Sequence, residues 1–513
     1  MVAKLLKSTA MVSLMTLISR ISGLVRDIVM ANLLGASALA DAFFVAFRIP
    51  NFLRRIFAEG AFSQAFVPVF SELTVRNTEE ARRFVSASFG WLALSTLFIT
   101  VLGIAFADGI ISILAPGFVD DQVKFNATVE ALQIMFPYLF CISLVAMSAG
   151  VLNTTNRFAV AAATPIILNL CLILAMWKLM PLLDDAAQAL AYGVLIAGVC
   201  QVLWQLPALK QSGYLVWPKL DLQNSHVFRV GKLMLPAILS VSVAQINLLV
   251  NTFLASFLVT GSVTWLYFSD RLMEFPVGVF GIALATVVLP SLSKEHTAGT
   301  ASGFSAMLDW ALKWVVMISV PATSALIILA VPLLTTLFNY NNFTTNDVLQ
   351  SAVALQAFAA GVCGFIFVKV LAPGFFARQD TTTPMRVAVV AMIANVVLSI
   401  ALVGSLKHAG LAWAISIAAW LNAGLLWWVL LKRQIHQPTS DWWFYLLRIT
   451  IAVAVMSGLL ISLSPADQVW FDWTLAERVF NLSWIVAVGG LSYFLCLALL
   501  GLNPKMLLSS PSG

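Results

Sequence analysis

The sequence predicts an all-α polytopic membrane protein of about 14 transmembrane helices, and its composition and hydropathy carry that prediction. Of its 513 residues, 61% are hydrophobic and 10% are charged, whereas about 25% of residues in an average globular protein are charged. The mean hydropathy is +0.95. The 29 basic and 23 acidic side chains are too few to cover a soluble protein of this size. A soluble enzyme, a disordered or collagen-like protein and a nucleic-acid-binding protein with a basic face are therefore excluded.

The number of spans follows from the chain length and the positions of the apolar runs. A membrane-spanning helix needs about 20 residues, and with about 15 more for each connection the chain accommodates roughly 14 or 15 spans. The apolar runs predict spans near residues 8–34, 40–70, 84–106, 128–152, 158–180, 187–209, 233–258, 263–292, 311–338, 350–375, 384–405, 410–431, 445–464 and 480–502.

The first apolar run resembles a signal peptide because Lys4 and Lys7 precede it. The following segment, from Ser19 to Asp27, has no small-residue cleavage site. We therefore interpret this run as a retained first helix.

The basic residues are divided unequally between the two sides of the predicted membrane. One set of connections, with Arg448 at its edge, holds Lys4, Lys7, Arg76, Arg82, Arg83, Arg157, Lys210, Lys219, Arg229, Lys232, Lys294, Lys313, Arg378, Arg386, Lys432, Arg433 and Lys505. The opposite set holds Lys124, Lys178, Lys407 and Arg478. The positive-inside rule makes the first set cytoplasmic, which predicts that both termini are cytoplasmic.

A weak internal repeat with a period of about 222–226 residues relates the two halves of the chain. In this repeat Arg48 corresponds to Arg271, and Pro68 corresponds to Pro290. An even number of spans in each copy makes the copies parallel and relates them by a pseudo-two-fold axis along the membrane normal, as in several transporters. The predicted domains are a six-helix lobe at 1–222, a second six-helix lobe at 223–437 and two extra C-terminal helices at 438–513.

The sequence has no pattern that indicates an enzyme, a metal site or a bound cofactor. The five cysteines lie singly in apolar runs without a CxxC pair, and no Walker motif or Ser-His-Asp set stands out. We expect a transporter with no metal and no cofactor. The histidines, all predicted to lie in connections, are His226, His296, His408 and His436.

Charged residues inside the spans are the strongest functional signal. Each charge at the bilayer centre costs about 2.5–3.5 kcal/mol, so exposing six arginines to lipid would cost on the order of 15 kcal/mol. These side chains must face a wet cavity or pair with acids. Inside or at the edges of spans lie Arg20, Arg26, Asp27, Asp41, Arg48, Arg54, Arg55, Glu59, Asp270, Arg271, Glu274 and Lys369.

Helical spacing places most of these charges on shared faces. Arg20 and Asp27 share a face of the first span, and Asp41, Arg48 and Arg55 follow at seven-residue intervals on the second. The entry helices of the two predicted lobes therefore carry polar faces, which we expect to meet across a central cavity.

The eighth span repeats this arrangement, with Asp270, Arg271 and Glu274 in one turn. Pro50 predicts a kink or break in the second span. Arginines outnumber acids in the set, and a guanidinium binds phosphate oxygens through two parallel hydrogen bonds. A phosphate-bearing anion is therefore favoured as substrate over a drug-like cation. The alternative is that these charges only pair with each other and hold helices together.

Three further polar residues in the spans leave their role open. Lys369 lies close enough to a helix end to reach the interface. Asn169 and Asn395 occupy similar places in the two copies, where they fit either an ion site or polar packing between helices.

Four segments of the chain resemble one known family. They are 19–27 (SRISGLVRD), 41–68 (DAFFVAFRIPNFLRRIFAEGAFSQAFVP), 270–276 (DRLMEFP) and 369–380 (KVLAPGFFARQD). They are similar to the MurJ/MviN lipid II flippases of the MOP exporter superfamily, and the resemblance spans nearly the whole chain. The second segment is the most specific, because related drug exporters lack it.

The resemblance implies a function in cell-wall synthesis. The protein would flip lipid II, the undecaprenyl-diphosphate-linked disaccharide-pentapeptide, from the cytoplasmic to the periplasmic leaflet of the bacterial inner membrane. Its partners would be lipid II, membrane lipids and cell-wall synthesis proteins, with no nucleic acid. The two extra helices would form the groove for the lipid tail.

The resemblance also assigns roles to residues. The family's cavity arginines match Arg20, Arg26, Arg54 and Arg271, and its cavity acid matches Asp41. Together with the charges found inside the spans, the expected substrate-binding residues are Arg20, Arg26, Asp27, Asp41, Arg54, Arg271 and Glu274, and the expected supporting residues are Arg48, Arg55, Glu59 and Asp270. We expect Asp27, Asp41 and Glu274 to pair with the arginines and orient them.

The driving force is left open by the sequence. Some family members have a sodium site with acidic ligands, but the nearby residues here are the neutral Asn247, Asn251 and Asn395, which argues against sodium coupling. The membrane potential is the alternative drive. The alternative functions are a flippase for another polyprenyl-diphosphate glycan, a drug or cation antiporter of the same superfamily, and a non-transporting scaffold for cell-wall enzymes.

Overall fold

The chain folds into α-helices in a computed structural model, which describes residues 2–56, 61–183, 185–221 and 223–502. Within these ranges a 3-10 turn occupies Pro116–Phe118 and a π-helical segment occupies Val277–Gly281. The α-helices are α1 (Val2–Leu34), α2 (Ala38–Arg54), α3 (Ala61–Arg76), α4 (Thr78–Ala105), α5 (Ala107–Leu114), α6 (Gln122–Thr154), α7 (Phe158–Ala162), α8 (Thr164–Lys178), α9 (Ala186–Ser212), α10 (Ser225–Ser256), α11 (Ser262–Pro276), α12 (Ile282–Thr297), α13 (Ala301–Ile328), α14 (Ala330–Phe338), α15 (Thr345–Ala359), α16 (Val362–Phe376), α17 (Thr382–Lys432), α18 (Trp442–Leu463), α19 (Asp467–Asp472) and α20 (Leu475–Leu499).

The helices pack into two compact units, one that runs up to Thr264 and one that begins at Trp265. In unit 1, α6 packs against α2, α4 and α9. The contact with α9 is close because Gly198 faces α6, where an added Cβ would lie 2.8 Å from the Tyr138 ring. A larger residue at position 198 would separate the two helices.

A cluster of aromatic rings holds α3 against α4 in unit 1. The Phe66 ring stacks on those of Phe62, Phe70 and Phe84, at centroid distances of 5.1, 5.4 and 5.2 Å. All four side chains are buried, and stacked rings add about 0.5–1.5 kcal/mol per pair beyond the burial of their surface.

In unit 2, the last long helices pack on α13. The Tyr445 hydroxyl of α18 donates to the Lys313 carbonyl at 2.6 Å, and the Tyr493 hydroxyl of α20 donates to the Met317 carbonyl at 2.7 Å. Both tyrosines are buried, so each satisfies its hydroxyl inside the apolar contact. The pair α18 and α20 is thereby fixed to the rest of unit 2.

Each predicted span coincides with helix in the described part of the chain, but several are divided. The span near 40–70 becomes α2 and α3, and the span near 311–338 becomes α13 and α14. The sequence predicts that Pro50 kinks or breaks the second span. A break at this residue is wrong, because it lies buried within α2 and the helix continues to Arg54, whereas a kink stays a prediction. The hydrogen bonding changes to a π-helical pattern only at residues 55 and 56.

Two predicted spans are joined in α17, which runs for 51 residues and turns at Lys407 (φ 52°, ψ −133°). His408 follows this turn and is buried, not part of an open connection. Among the described residues, ten helices are long and apolar enough to cross a membrane. The chain is therefore a multi-pass membrane protein, and the count of about 14 spans stays a prediction.

Candidate functional site

Two charges of the first span, Arg26 and Asp27, form a buried cluster in unit 1. The Arg26 guanidinium donates to Asp27 Oδ1 through Nε at 2.9 Å and to Asn169 Oδ1 through Nη1 at 3.0 Å. Asn169 Nδ2 in turn donates to the Ser22 hydroxyl at 2.9 Å and the Ser19 carbonyl at 3.1 Å. The predicted pairing of Arg26 with Asp27 is confirmed, and Asn169 of α8 is the polar neighbour that holds the guanidinium from a second helix.

This arrangement keeps a cation inside an apolar helix bundle. Arg26 is 5% exposed and Asp27 is 4% exposed, so both charges are removed from solvent. Burial of an unpaired charge is costly, and the carboxylate together with the Asn169 amide oxygen offsets that cost. A diphosphate that reaches this guanidinium would have to compete with Asp27 for it.

Asp41 lies in a different network of unit 1. Its carboxylate accepts from Lys124 Nζ at 3.0 Å, from the Gly261 N–H at 2.8 Å and from the Thr264 N–H and hydroxyl at 3.0 and 2.7 Å. These backbone groups form the start of α11, where unpaired N–H groups favour an anion. Lys124 and the start of α11 bond this carboxylate, and the side chain is fully buried. The assignment of Asp41 as a cavity acid that orients the arginines stays a prediction.

The remaining charges of the second span are half-buried. Arg54 donates to Asn51 Oδ1 at 2.7 Å, and Arg55 donates to Gln245 Oε1 of α10 at 3.2 Å. Arg48 lies on the same helix as Arg54, and Arg20 is half-buried on α1. The supporting residue Glu59 lies outside the described residues.

Unit 2 holds the second predicted group of charges on α11. Arg271 Nη1 lies 3.4 Å from Glu274 Oε2, and the guanidinium also donates to the Tyr267 hydroxyl at 3.2 Å. The predicted pairing of Arg271 with Glu274 is confirmed. Unlike the pair on α1 this one is open, with side chains 42% and 52% exposed. Asp270, the neighbouring supporting residue, is half-buried.

Two other polar residues of unit 2, Lys369 on α16 and Asn395 on α17, have roles that the sequence leaves open. Lys369 packs across the π-helical segment, where an added Cβ at Gly281 would meet its side chain at 2.7 Å. Asn395 on α17 is 1% exposed, and neither atom of its amide group has a hydrogen-bond partner among the described residues. Its part in ion binding or packing stays a prediction.

Sequence reasoning missed Lys124 and Tyr267 as partners of predicted charges. The sequence places Lys124 in an outer connection because the predicted span begins near residue 128, whereas it lies in the first turn of α6. Tyr267 lies four residues before Arg271, and that spacing on a helix was the available signal. No sequence pattern linked Lys124 to Asp41.

Comparison with known proteins places the chain in a family. The family model described as Lipid II flippase MurJ matches residues 30–482. The chain belongs to the MurJ lipid II flippase family. A protein of Vibrio cholerae named "Probable lipid II flippase MurJ" is 43% identical over 510 residues, covering 98% of this chain and 97% of the relative. The "Lipid II flippase MurJ" of Burkholderia cenocepacia is 41% identical over 475 residues, covering 92% and 91%.

Solved structures agree with this assignment. A structure titled "Lipid II flippase MurJ, inward closed conformation" matches with a TM-score of 0.81 and 26% identity, over 95% of this chain and 98% of that one. An inward-facing multidrug resistance MATE transporter of the MOP superfamily matches with a TM-score of 0.68 and 15% identity, over 81% and 95%. The second match supports the fold alone. The resemblance inferred from the sequence is confirmed by the first match and by the family model.

Proposed function

We propose that this protein flips lipid II from the cytoplasmic to the periplasmic leaflet of the bacterial inner membrane, where peptidoglycan synthesis consumes it. The observation that carries the proposal is the match to the flippase family over residues 30–482. The intramembrane arginines fit this substrate, because its diphosphate presents the oxygens that guanidinium groups bind best.

The proposed binding step uses the two pairs on α1 and α11. Arg26 and Arg271, aided by Arg20 and Arg54, bind the diphosphate oxygens, while Asp27 and Glu274 hold the arginines when no substrate is bound. Asp27 has to release part of its contact with Arg26, whereas Arg271 is already open to a ligand. Alternating access of the cavity then moves the bound headgroup across the membrane while the isoprenoid tail stays in lipid.

The proposed drive is the membrane potential. Moving one charge through 100 mV changes its energy by about 2.3 kcal/mol, so a headgroup with about two phosphate charges gains roughly twice that amount when it moves outward. The sign is favourable because the cytoplasm is negative. No cofactor is required by this scheme, and a coupling ion is not part of it.

The placement in the membrane is also proposed. The excess of Lys and Arg in one set of connections supports cytoplasmic termini. The pair α18 and α20 is assigned to the lipid tail, and the predicted lobes 1–222 and 223–437 are assigned to the rocking motion. Membrane lipids and cell-wall synthesis proteins are its proposed further partners.

A flippase for another polyprenyl-diphosphate glycan is the alternative that the same arginines favour, because such a substrate shares the diphosphate. A drug or cation antiporter would need an acid-dominated cavity. Here Asp27 on α1 is paired with Arg26, and Glu274 on α11 is paired with Arg271. A non-transporting scaffold would not need buried charge on α1.

The deciding experiment follows lipid II from leaflet to leaflet in liposomes that contain the purified full chain, with and without a potential that is negative on the side of loading. We expect translocation that accelerates with the potential. Protein-free liposomes and liposomes with a different polyprenyl-diphosphate glycan are the controls. Equal rates with and without protein would refute the proposal. Equal rates with and without the potential would refute the drive alone.

A further inference from the structure

The connection between α9 and α10 is bonded along the surface of α4. The Lys219 N–H donates to the Ser86 carbonyl at 3.1 Å, and the Ser86 hydroxyl donates to the Trp217 carbonyl at 2.5 Å. Trp91 Nε1 donates to the Asp221 carbonyl at 3.2 Å. We refer to residues 213–221 as the strap. These bonds fix its main chain to a membrane-spanning helix.

The strap lies close to α4 because Gly90 leaves room for it. A Cβ at this position would lie 2.3 Å from the Lys219 carbonyl oxygen. Ser86 and Gly90 are one turn apart, so they belong to one face of α4. The same face continues with Leu94, Leu97 and Val101, which are all exposed. In a membrane-spanning helix this exposed face contacts lipid. The strap therefore covers the end of the lipid-facing side of α4.

From Tyr214 to Trp217 the side chains of the strap alternate between inward and outward positions, as in an extended chain. Tyr214 points inward, is 5% exposed and meets the Phe70 ring edge-on at 5.1 Å. Val216 packs against the same core. Leu215 and Trp217 point outward, and Trp217 is 87% exposed. An outward tryptophan at the end of a lipid-facing helix surface has the position of an interfacial anchor.

The first turns of α10 pack against the same core as the strap, through Val227 and Val230. A shallow cavity of about 630 Å³ is lined by Gln223, Ser225, Phe228, Arg229, Lys232 and Leu233. Phe228 and Leu233 are exposed, whereas Val230 on the other face is buried. The cavity therefore combines apolar rings and chains with cationic groups and hydroxyl and amide donors.

The basic groups of this surface differ in their pairing, and the strap also carries the Asp221 carboxylate, which accepts from the Gln223 N–H at 3.0 Å. Arg229 is paired with Glu72 at 3.0 Å and His226 with Glu80 at 2.9 Å. Lys219 and Lys232 are exposed and take part in none of the ion pairs of the described residues. Two unpaired ammonium groups thus flank an apolar, aromatic surface.

We propose that the strap and the first turns of α10 form a binding surface for anionic phospholipid of the adjacent leaflet, with Lys219 and Lys232 on the phosphate group and Trp217, Phe228 and Leu233 among the upper acyl carbons. Lipid is the occupant because the surface is continuous with the lipid-facing side of α4. Anionic lipid is favoured over zwitterionic lipid because each lysine near such a surface gains about 1 kcal/mol.

The first test measures retained lipid. The full chain is reconstituted in nanodiscs of phosphatidylcholine with increasing phosphatidylglycerol, and bound lipid is counted by native mass spectrometry. The double variant Lys219→Gln/Lys232→Gln should weaken phosphatidylglycerol retention roughly fivefold per lysine removed. Lys294→Gln/Lys432→Gln makes the same change of net charge at exposed lysines of unit 2 and should leave this retention unchanged. Equal losses in both double variants would overturn the proposal.

The second test locates Trp217. Phosphatidylcholine brominated near the top of the acyl chain should quench the tryptophan fluorescence of the wild type more than that of Trp217→Phe. The difference between the two gives the contribution of Trp217 alone. Trp443→Phe provides a matched loss of one exposed tryptophan outside the surface. Quenching of the Trp217 component by aqueous acrylamide but not by bromolipid would overturn the proposal and assign the surface to a protein partner or a second copy.

Discussion

Asp41 and Lys124 form a buried ion pair with a distance of 3.0 Å between Oδ2 and Nζ, and their side chains are 1% and 5% exposed. The carboxylate also holds the first N–H groups of α11 through Gly261 and Thr264. The Lys124 ammonium lies 4.1 Å from the centroid of the Phe118 ring. This pair therefore joins α2, α6 and the start of α11 at one point.

We predict that Asp41→Asn lowers the free energy of unfolding by about 3 kcal/mol, because it leaves the Lys124 ammonium buried without a compensating charge. The measurement is chemical unfolding of the purified protein in detergent. Adding Lys124→Met should restore a large part of the loss, since the double variant buries no charge. The exposed pair of Arg76 and Glu72 is the control, and Arg76→Gln should change stability by less than about 1 kcal/mol.

An Asp41→Asn variant that is equally unstable with and without Lys124→Met would contradict the role of the pair. An Asp41→Asn variant of normal stability that fails to transport would instead support Asp41 as a substrate-binding residue.

The contrast between Asp27 and Asp41 explains how far the sequence could predict the site. Asp27 follows Arg26 directly, so its partner lay within the local pattern and the predicted pairing is confirmed. The partner of Asp41 is 83 positions away, and its place depends on how α2 packs against α6. A helical pattern identifies the face of a charge, but only tertiary packing selects its partner.

The helices show the same division between local and long-range information. Apolar runs located helix at every predicted span, because burial in lipid requires about 20 apolar residues. The break at Ala163 between α7 and α8 was not predicted. There the Trp204 and Gln201 side chains of α9 donate to the Val160 and Thr164 carbonyls. Such breaks are satisfied by another helix and carry no strong local signal.

The Arg26 cluster predicts a combined effect on transport and stability. Arg26→Ala should abolish lipid II translocation in liposomes, and it should also lower the free energy of unfolding by about 3 kcal/mol because the buried Asp27 carboxylate loses the guanidinium charge beside it. Arg26→Ala combined with Asp27→Asn should recover stability but not translocation. Recovery of both would show that the pair only holds helices together.

Substitution of Arg271 should affect translocation but hardly affect stability, unlike substitution of Arg26. Because this side chain is 42% exposed and lies 3.4 Å from Glu274, Arg271→Ala should change stability by less than about 1 kcal/mol. It should nevertheless abolish translocation, since the guanidinium is proposed to bind the diphosphate. Glu274→Gln is the matched control, and it should keep normal stability and reduce translocation less. Normal translocation by Arg271→Ala would remove α11 from the proposed site.

Arg478 predicts how the last helices are anchored. It is 6% exposed, and it donates to the carbonyls of Trp470, Phe471 and Asn339 at 3.0, 2.9 and 3.0 Å. Arg478→Met should remove the donor from these buried and part-buried carbonyls and cost about 2–4 kcal/mol, because each lost partner costs about 1–3 kcal/mol.

Arg478→Met should loosen the structure around this residue as well as lower the stability of the whole protein. Hydrogen exchange should accelerate in α19 and at the end of α14, the two elements whose carbonyls this side chain binds. The exposed Arg448 of α18 provides a control, and Arg448→Gln should alter stability by less than about 0.5 kcal/mol. If Arg478→Met exchanges like the wild type in α19, the guanidinium is not what holds α20 to the carbonyl end of α14, and the apolar contacts of Trp470 and Tyr493 with the rest of unit 2 are sufficient.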